Sequence, residues 1–354
     1  MIGKDGMAGL GKFEKLEPTG MLWFLDYRKQ YSRTPWIRLA LKLVKRFGCS
    51  AFLTKNEAGE VMTCRNYDFP HKDAEGEVTG QNIVLRFHPK GGLESLCVAD
   101  AALLKRLKLP FFKGSPESSG LGKIPYRLLP FICMDGMNEK GLTVSILVVD
   151  LKKGETKTCQ KEPGRKAMVI TELLREALDT CSDVEETIRL AEQVNLIGAL
   201  RIEAHLFVAD AAGASAVLEW RHDQLQVIRT NAVTNFYVGS DDAEDSYLKG
   251  KLKEKYIPAP QYTHPYRYGY GHGYERFRRI AEDLEAHLTG TDPYETVMSK
   301  EEGFRTLEKV SQEYEHNDIT SFTQYSVIYN HTKRTAELCL ARNYSKVYSF
   351  TLES

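Results

Sequence analysis

The chain has 354 residues, 42% hydrophobic and 27% charged, with 48 Lys and Arg balanced by 48 Asp and Glu. This is ordinary globular composition, and single large αβ domains reach this length. No apolar run attains the roughly 18 residues of a membrane span, and residues 1–6 lack the apolar core and small-residue cleavage site of a secretory signal.

Seven cysteines (49, 64, 97, 133, 159, 181 and 339) are odd in number and scattered, with no CxxC pair and no zinc-like spacing to the nine histidines. They fit free thiols in a reducing cytoplasm and call for no metal. The zero net charge hides an asymmetry. Residues 1–48 carry ten Lys and Arg against four Asp and Glu, leaving a deficit of the same size over 49–354. A basic leader on an acidic body suggests intramolecular docking, with membrane-surface or nucleic-acid contact as the alternatives.

Within the leader, Thr34-Pro35 starts an amphipathic helix carrying Trp36, Ile37, Ala40, Leu41, Leu43, Val44 and Phe47 at helical spacing and ending against Gly48. It either covers an edge of the core or lies on a membrane surface. A β-hairpin follows: Cys49 opens one strand, residues 55–60 turn, and 61–64 begin the return. Further strands fall at 83–88 and 93–98. Another pair at 128–134 and 142–149 flanks a turn at 135–141, and a meander runs through 204–209, 216–220 and 225–229. Helices are expected at 167–178, from 182 onward with a capping box, at 274–287 and at 300–315. Strands at 322–330, 336–342 and 346–352 close the chain.

Hairpins and meanders with helices in runs argue for antiparallel sheets covered by helices. The Tyr-, Pro-, His- and Gly-rich stretch 256–274 reads as a long loop, either a pocket wall, a subunit contact or plain solvent-facing chain. Its Gly269–Gly273 glycines follow no strand, so they make no dinucleotide motif. Tyr266-Arg267-Tyr268 is too short to argue for nucleic acid.

The hairpin returns Arg65 and Asp68 toward Cys49. A thiol, a guanidinium and a carboxylate so grouped suggest an activated cysteine nucleophile, against the plainer reading of a buried cysteine beside an ion pair. Cys49 followed sixteen residues later by Arg65-Asn66-Tyr67-Asp68 resembles the choloylglycine hydrolase family of N-terminal-nucleophile amidases, which includes bile salt hydrolases and penicillin V acylases. The resemblance continues in order through Met134-Asp135-Gly136-Met137-Asn138-Glu139-Lys140-Gly141-Leu142, Val233-Thr234-Asn235, Glu275-Arg276-Phe277 and Thr323-Gln324-Tyr325.

It implies an α+β fold, a four-layer αββα sandwich of two antiparallel sheets, over residues 49–354, with 1–48 as a pro-segment. It implies Cys49 as nucleophile, Arg65 flanking the thiol, and Asp68 holding the α-amine. Asn235 would present its amide to the oxyanion, and Arg276 would complete the charge network. The base in such enzymes is the nucleophile's own α-amine, with an ordinary pKa of about 7.7–8. The leader must then be cut between Gly48 and Cys49. Gly48 suits an acyl shift because a residue without Cβ tolerates strained backbone.

The family's bile salt hydrolases carry an Asn where this chain has Val148, which puts bile-acid specificity in doubt and suggests an apolar pocket. The expected reaction is hydrolysis of a small N-acyl amide through a thioester, without cofactor. Alternatives are acyl transfer from the same thioester, or a silent binding protein with a retained leader. Relatives commonly form homo-oligomers, and a cytoplasmic location is expected, without a membrane span or nucleic-acid partner.

Overall fold

The structure, a computed structural model, describes residues 10–31, 48–71, 79–107, 112, 114–118, 120–149, 158–198, 203–239, 273–313 and 322–352. The leader helix expected at 34–47 and most of the loop expected at 256–274 lie outside the described residues, although Gly273 and Tyr274 belong to a helix.

Among the described residues two large sheets face each other. One contains Phe13–Lys15 (β1), Leu22–Tyr27 (β2), Asn82–Phe87 (β5), Ser95–Asp100 (β6), Cys133–Asn138 (β7), Thr143–Val149 (β8), Glu203–Ala209 (β11), Ser215–Arg221 (β12) and Gln224–Ile228 (β13), side by side in that order. The other runs Ala232–Val233 (β14), Gly48–Lys55 (β3), Val61–Asp68 (β4), Thr323–Asn330 (β15), Thr335–Leu340 (β16) and Val347–Thr351 (β17). A two-stranded parallel pair joins Lys166–Met168 (β9) to Val194–Leu196 (β10). The large sheets are antiparallel except where β2 runs parallel to β5.

Helices Ile170–Thr180 (α1) and Val184–Glu192 (α2) cover the nine-stranded sheet, and Gly273–Ala286 (α3) and Lys300–Lys309 (α4) cover the six-stranded one. This is the expected four-layer sandwich. Strand alternation sorts the core into two layers. In β3 and β4, Phe52, Met62 and Cys64 join Phe277, Ile280, Leu284 and Leu307 under the helices, while Cys49, Ala51, Leu53 and Tyr67 face the opposite sheet. The inner strands of each sheet are buried on both faces, which explains runs too uniformly apolar to show a clean alternation in sequence.

Two of the helices, α2 and α4, start on side-chain caps. Asp183 accepts from the Glu186 N–H at 2.8 Å, and Ser299 and Glu302 form a capping box. One expected turn is displaced. Residues 135–138 lie in β7, and 128–131 end a 3₁₀ segment, Gly120–Phe131, that contains Pro125 and Pro130. Proline cannot donate to a strand ladder. The turn shrinks to Glu139–Lys140 because Asn138 Oδ1 accepts from the N–H groups of Lys140 and Leu142, each at 3.1 Å.

The leader contributes to the fold directly. β1 pairs with β2, and β2 pairs along its whole length with β5, burying Leu22, Trp23, Leu25 and Tyr27.

Candidate active site

The hairpin of β3 and β4 sets Gly48 opposite Asp68, Cys49 opposite Tyr67 and Ala51 opposite Arg65. Paired residues project to the same face, so Cys49, Tyr67 and Arg65 enter the space between the sheets, and Asp68 faces the helix layer. Arg65 Nη2 donates to Cys49 Sγ at 3.3 Å, and the thiol lies 3.6 Å from the Ile146 carbonyl.

The backbone of Cys49 is gripped as closely as its thiol. Its N–H donates to Asn235 Oδ1 at 2.7 Å, and its carbonyl accepts from Arg276 Nη1 at 2.8 Å. Arg276, in the first turn of α3, also donates through Nη2 to Asn235 Oδ1 at 2.6 Å and pairs with Asp68 Oδ2 at 3.3 Å. Thr323 Oγ1 donates to the other Asp68 oxygen at 2.7 Å. Arg65, Asp68, Asn235 and Arg276 are thus gathered around Cys49, and all five residues are at most 2% exposed.

The space at Gly48 matters for a reason other than strain. It lies in regular strand, and a Cβ would stand 3.1 Å from Asp68 Oδ2. The glycine makes room for the carboxylate beside the peptide that joins the leader to Cys49. Asn235 is also turned in an unexpected sense. Its amide Nδ2 donates to the Val148 carbonyl at 2.7 Å, while its oxygen meets the Cys49 N–H. Val148 shapes the site through this carbonyl. Alternation along β8 sends its side chain, with Val144 and Ile146, to the face covered by α1, whereas Thr143 bonds Thr63 across the sheets at 3.1 Å. The apolar side chain at 148 therefore does not line the space beside the thiol.

Three residues, two of them (Asp135 and Tyr325) within the motifs and Tyr329 outside them, have roles that sequence reading missed. Asp135 is fully buried and accepts from Arg65 Nη1, from Tyr325 OH at 2.5 Å and from Tyr329 OH. Arg65 Nη1 and Nη2 also donate to the carbonyls of Met134 at 2.5 Å and Ile146 at 2.6 Å. The guanidinium is fixed against Cys49 by a carboxylate that two phenols hold in place.

Burial pushes the Cys49 thiol up to about 11 despite Arg65 beside it, so in the continuous chain it is un-ionised at neutral pH. Burial also raises the Asp68 carboxyl above its ordinary range, opposed by Arg276 and by Thr323. Desolvation works against the Arg65 charge, but Asp135 more than offsets it and holds Arg65 firmly charged. The Cys49 thiol is thus held protonated beside a charged guanidinium. Among the described residues no three His, Cys, Asp or Glu side chains are grouped to hold a metal ion, and no helix is long and apolar enough to cross a membrane.

The sequence model of the acyl-coenzyme A:6-aminopenicillanic acid acyl-transferase family matches residues 105–345, a span that contains Asn235 and Arg276 and begins after Cys49, Arg65 and Asp68. No curated protein matches the chain by sequence. Among solved structures, a cysteine-to-alanine mutant of conjugated bile acid hydrolase from Clostridium perfringens is similar over 86% of this chain and 92% of its own, with a TM-score of 0.55 and 17% identity. Penicillin V acylase from Agrobacterium tumefaciens is similar over 86% of each chain, with a TM-score of 0.52 and 17% identity. The sequence model covers more than half of the chain and the solved structures share its architecture: the chain belongs to the acyl-coenzyme A:6-aminopenicillanic acid acyl-transferase family and has the N-terminal-nucleophile hydrolase fold of bile acid hydrolase and penicillin V acylase.

Proposed function

We propose that the protein is a cysteine N-terminal-nucleophile amidase that acts on a small N-acyl amide after a cut between Gly48 and Cys49. The observation that carries this reading is the gathering of Arg65, Asp68, Asn235 and Arg276 around Cys49, whose backbone N–H and C=O are each held by a side chain.

In the cut, Cys49 Sγ attacks the Gly48 carbonyl carbon. The C–N bond breaks, a thioester forms, and the released nitrogen takes up the thiol proton to become the α-amine of Cys49. Water then hydrolyses the thioester and leaves Gly48 as a carboxylate. In the mature site the α-amine removes the thiol proton, and in this reading Asp68 and Asn235 hold that amine. The thiolate attacks the substrate carbonyl, the amine departs with a proton, and water resolves the acyl-enzyme. Asn235 Nδ2, released from Val148, supplies an N–H to the oxyanion, a donor worth roughly 2.7–4 kcal/mol in such sites. Arg65 stabilises the thiolate.

Intact-mass measurement of the purified protein tests this. Separation of residues 1–48 from the rest, with a Cys49→Ala variant that stays full-length and inactive toward a panel of N-acyl amides, supports the reading. A wild-type chain that remains full-length would sink it and favour a silent binding role. Acyl transfer is the second reading, favoured by the family whose model matches. Adding a free amine acceptor during turnover should then divert acyl product from the acid to a new amide.

A further inference from the structure

The segment that follows β14 and carries Asn235 is gripped by a buried imidazole–carboxylate pair from the opposite sheet. The register of β11 and β12, with Leu206 opposite Leu218 and Phe207 opposite Val217, brings His205 and Glu219 together. Both are fully buried. His205 Nε2 lies 2.9 Å from the Thr234 carbonyl, which can only accept, so this nitrogen carries a proton. Its Nδ1 faces Glu219 Oε2 at 3.3 Å. The same carboxylate accepts the N–H groups of Val238 at 3.0 Å and Gly239 at 2.7 Å.

The pair therefore holds the backbone on both sides of Asn235, one residue before it and three and four residues after. Gly239 permits the close approach, since a Cβ there would stand 2.6 Å from Gln226 Oε1 and 3.0 Å from Glu219 Oε1. Burying a carboxylate and an imidazole costs desolvation, and the neighbouring Phe207 and Val217 show that apolar residues fit the same ladder. What the polar pair adds is a fixed backbone for one side chain, whose two ends bond the Cys49 N–H and the Val148 carbonyl.

We infer that His205 and Glu219 are positioning residues for Asn235, an inference that rests on the proposed chemistry at Cys49. The test compares His205→Leu, which removes the donor, with His205→Gln, which keeps an N–H near the Thr234 carbonyl. Leu338→Ala, a core truncation in β16, serves as a control for lost stability. Each chain is made by cell-free synthesis and the cut after Gly48 is followed by mass. A misplacement of about 1 Å costs on the order of 100-fold in rate, so His205→Leu should slow the cut by roughly 10- to 100-fold, and His205→Gln should recover most of it. A rate that only tracks stability across all three variants overturns the inference.

A second readout needs no activity. The side-chain amide protons of Asn235, assigned by an Asn235→Asp variant, should shift and exchange faster in His205→Leu than in Leu338→Ala. Unmoved signals also overturn it. A wild-type chain that never cuts defeats the Cys49 mechanism alone and leaves the amide readout to decide on His205.

Discussion

Asp135 shows how a single buried side chain can govern a site it does not belong to. Removing its charge leaves the Arg65 guanidinium without a counter-ion in a dry interior, a change that costs about 3–5 kcal/mol in comparable buried pairs. Asp135→Asn should lower stability by that order in urea unfolding. Tyr329→Phe, losing one bond to a charged acceptor, should cost about 1.5–3 kcal/mol. Equal losses for the two variants would contradict the hierarchy. His331 makes a separate prediction. It bonds the Gly141 carbonyl through Nδ1 and Thr63 Oγ1 through Nε2, and burial drives its pKa down to about 3. Below about pH 6.5 the unfolded chain takes up a proton at this histidine that the folded one refuses until about pH 3. Stability should therefore fall as pH drops through that window, by up to about 1.4 kcal/mol per unit. His331→Asn should flatten this dependence in acid unfolding, and an unchanged slope would remove His331 as the cause.

The five candidate site residues were legible because each sits in a short ordered motif. Their counter-ion was not, although Asp135 and Tyr325 lie inside the quoted motifs, because only tertiary packing brings β7 and β15 to Arg65. The polar His205 and Glu219, set in apolar strand runs, were a signal in sequence. Without the β11–β12 register it pointed to no partner.

At the level of elements, β2 departs furthest from what the charge pattern suggested. A basic leader is expected to dock through its charges, yet residues 22–27 dock by burying Leu22, Trp23, Leu25 and Tyr27 in a core sheet. The run Leu22-Trp23-Phe24-Leu25-Asp26-Tyr27, rich in aromatic residues and following Pro18-Thr19-Gly20, has the composition of a strand. The pull of the helical pattern at 34–47 and of the net charge obscured it. Leu25→Ala should cost about 2–5 kcal/mol, as large-to-small changes in cores do. After the proposed cut, residues 1–48 should co-elute with 49–354 in size-exclusion chromatography and separate only in denaturant. A processed enzyme that loses the leader without denaturant would show that β2 is dispensable to the sheet. The hairpins and meander were readable in order and approximate extent because hairpin turns carry local signals. The parallel β2–β5 contact was not, because nothing local marks a pairing between strands about sixty residues apart.

Seen as a whole molecule, the chain between β2 and β5 leaves the nine-stranded sheet, builds β3 and β4 in the other, and returns. The Gly48–Cys49 bond lies inside this excursion. An intact chain closes the β2–β5 contact as an intramolecular loop, whose cost grows only slowly with length. A chain cut after Gly48 must make the same contact between two separate molecules. The molecularity of folding thus changes at one covalent bond. Each tenfold dilution should lower the apparent stability of the cut protein by about 1.4 kcal/mol, while the uncut Cys49→Ala chain should unfold at the same denaturant concentration at any dilution. The enzyme would reach its active form along a route that its own chemistry then closes behind it.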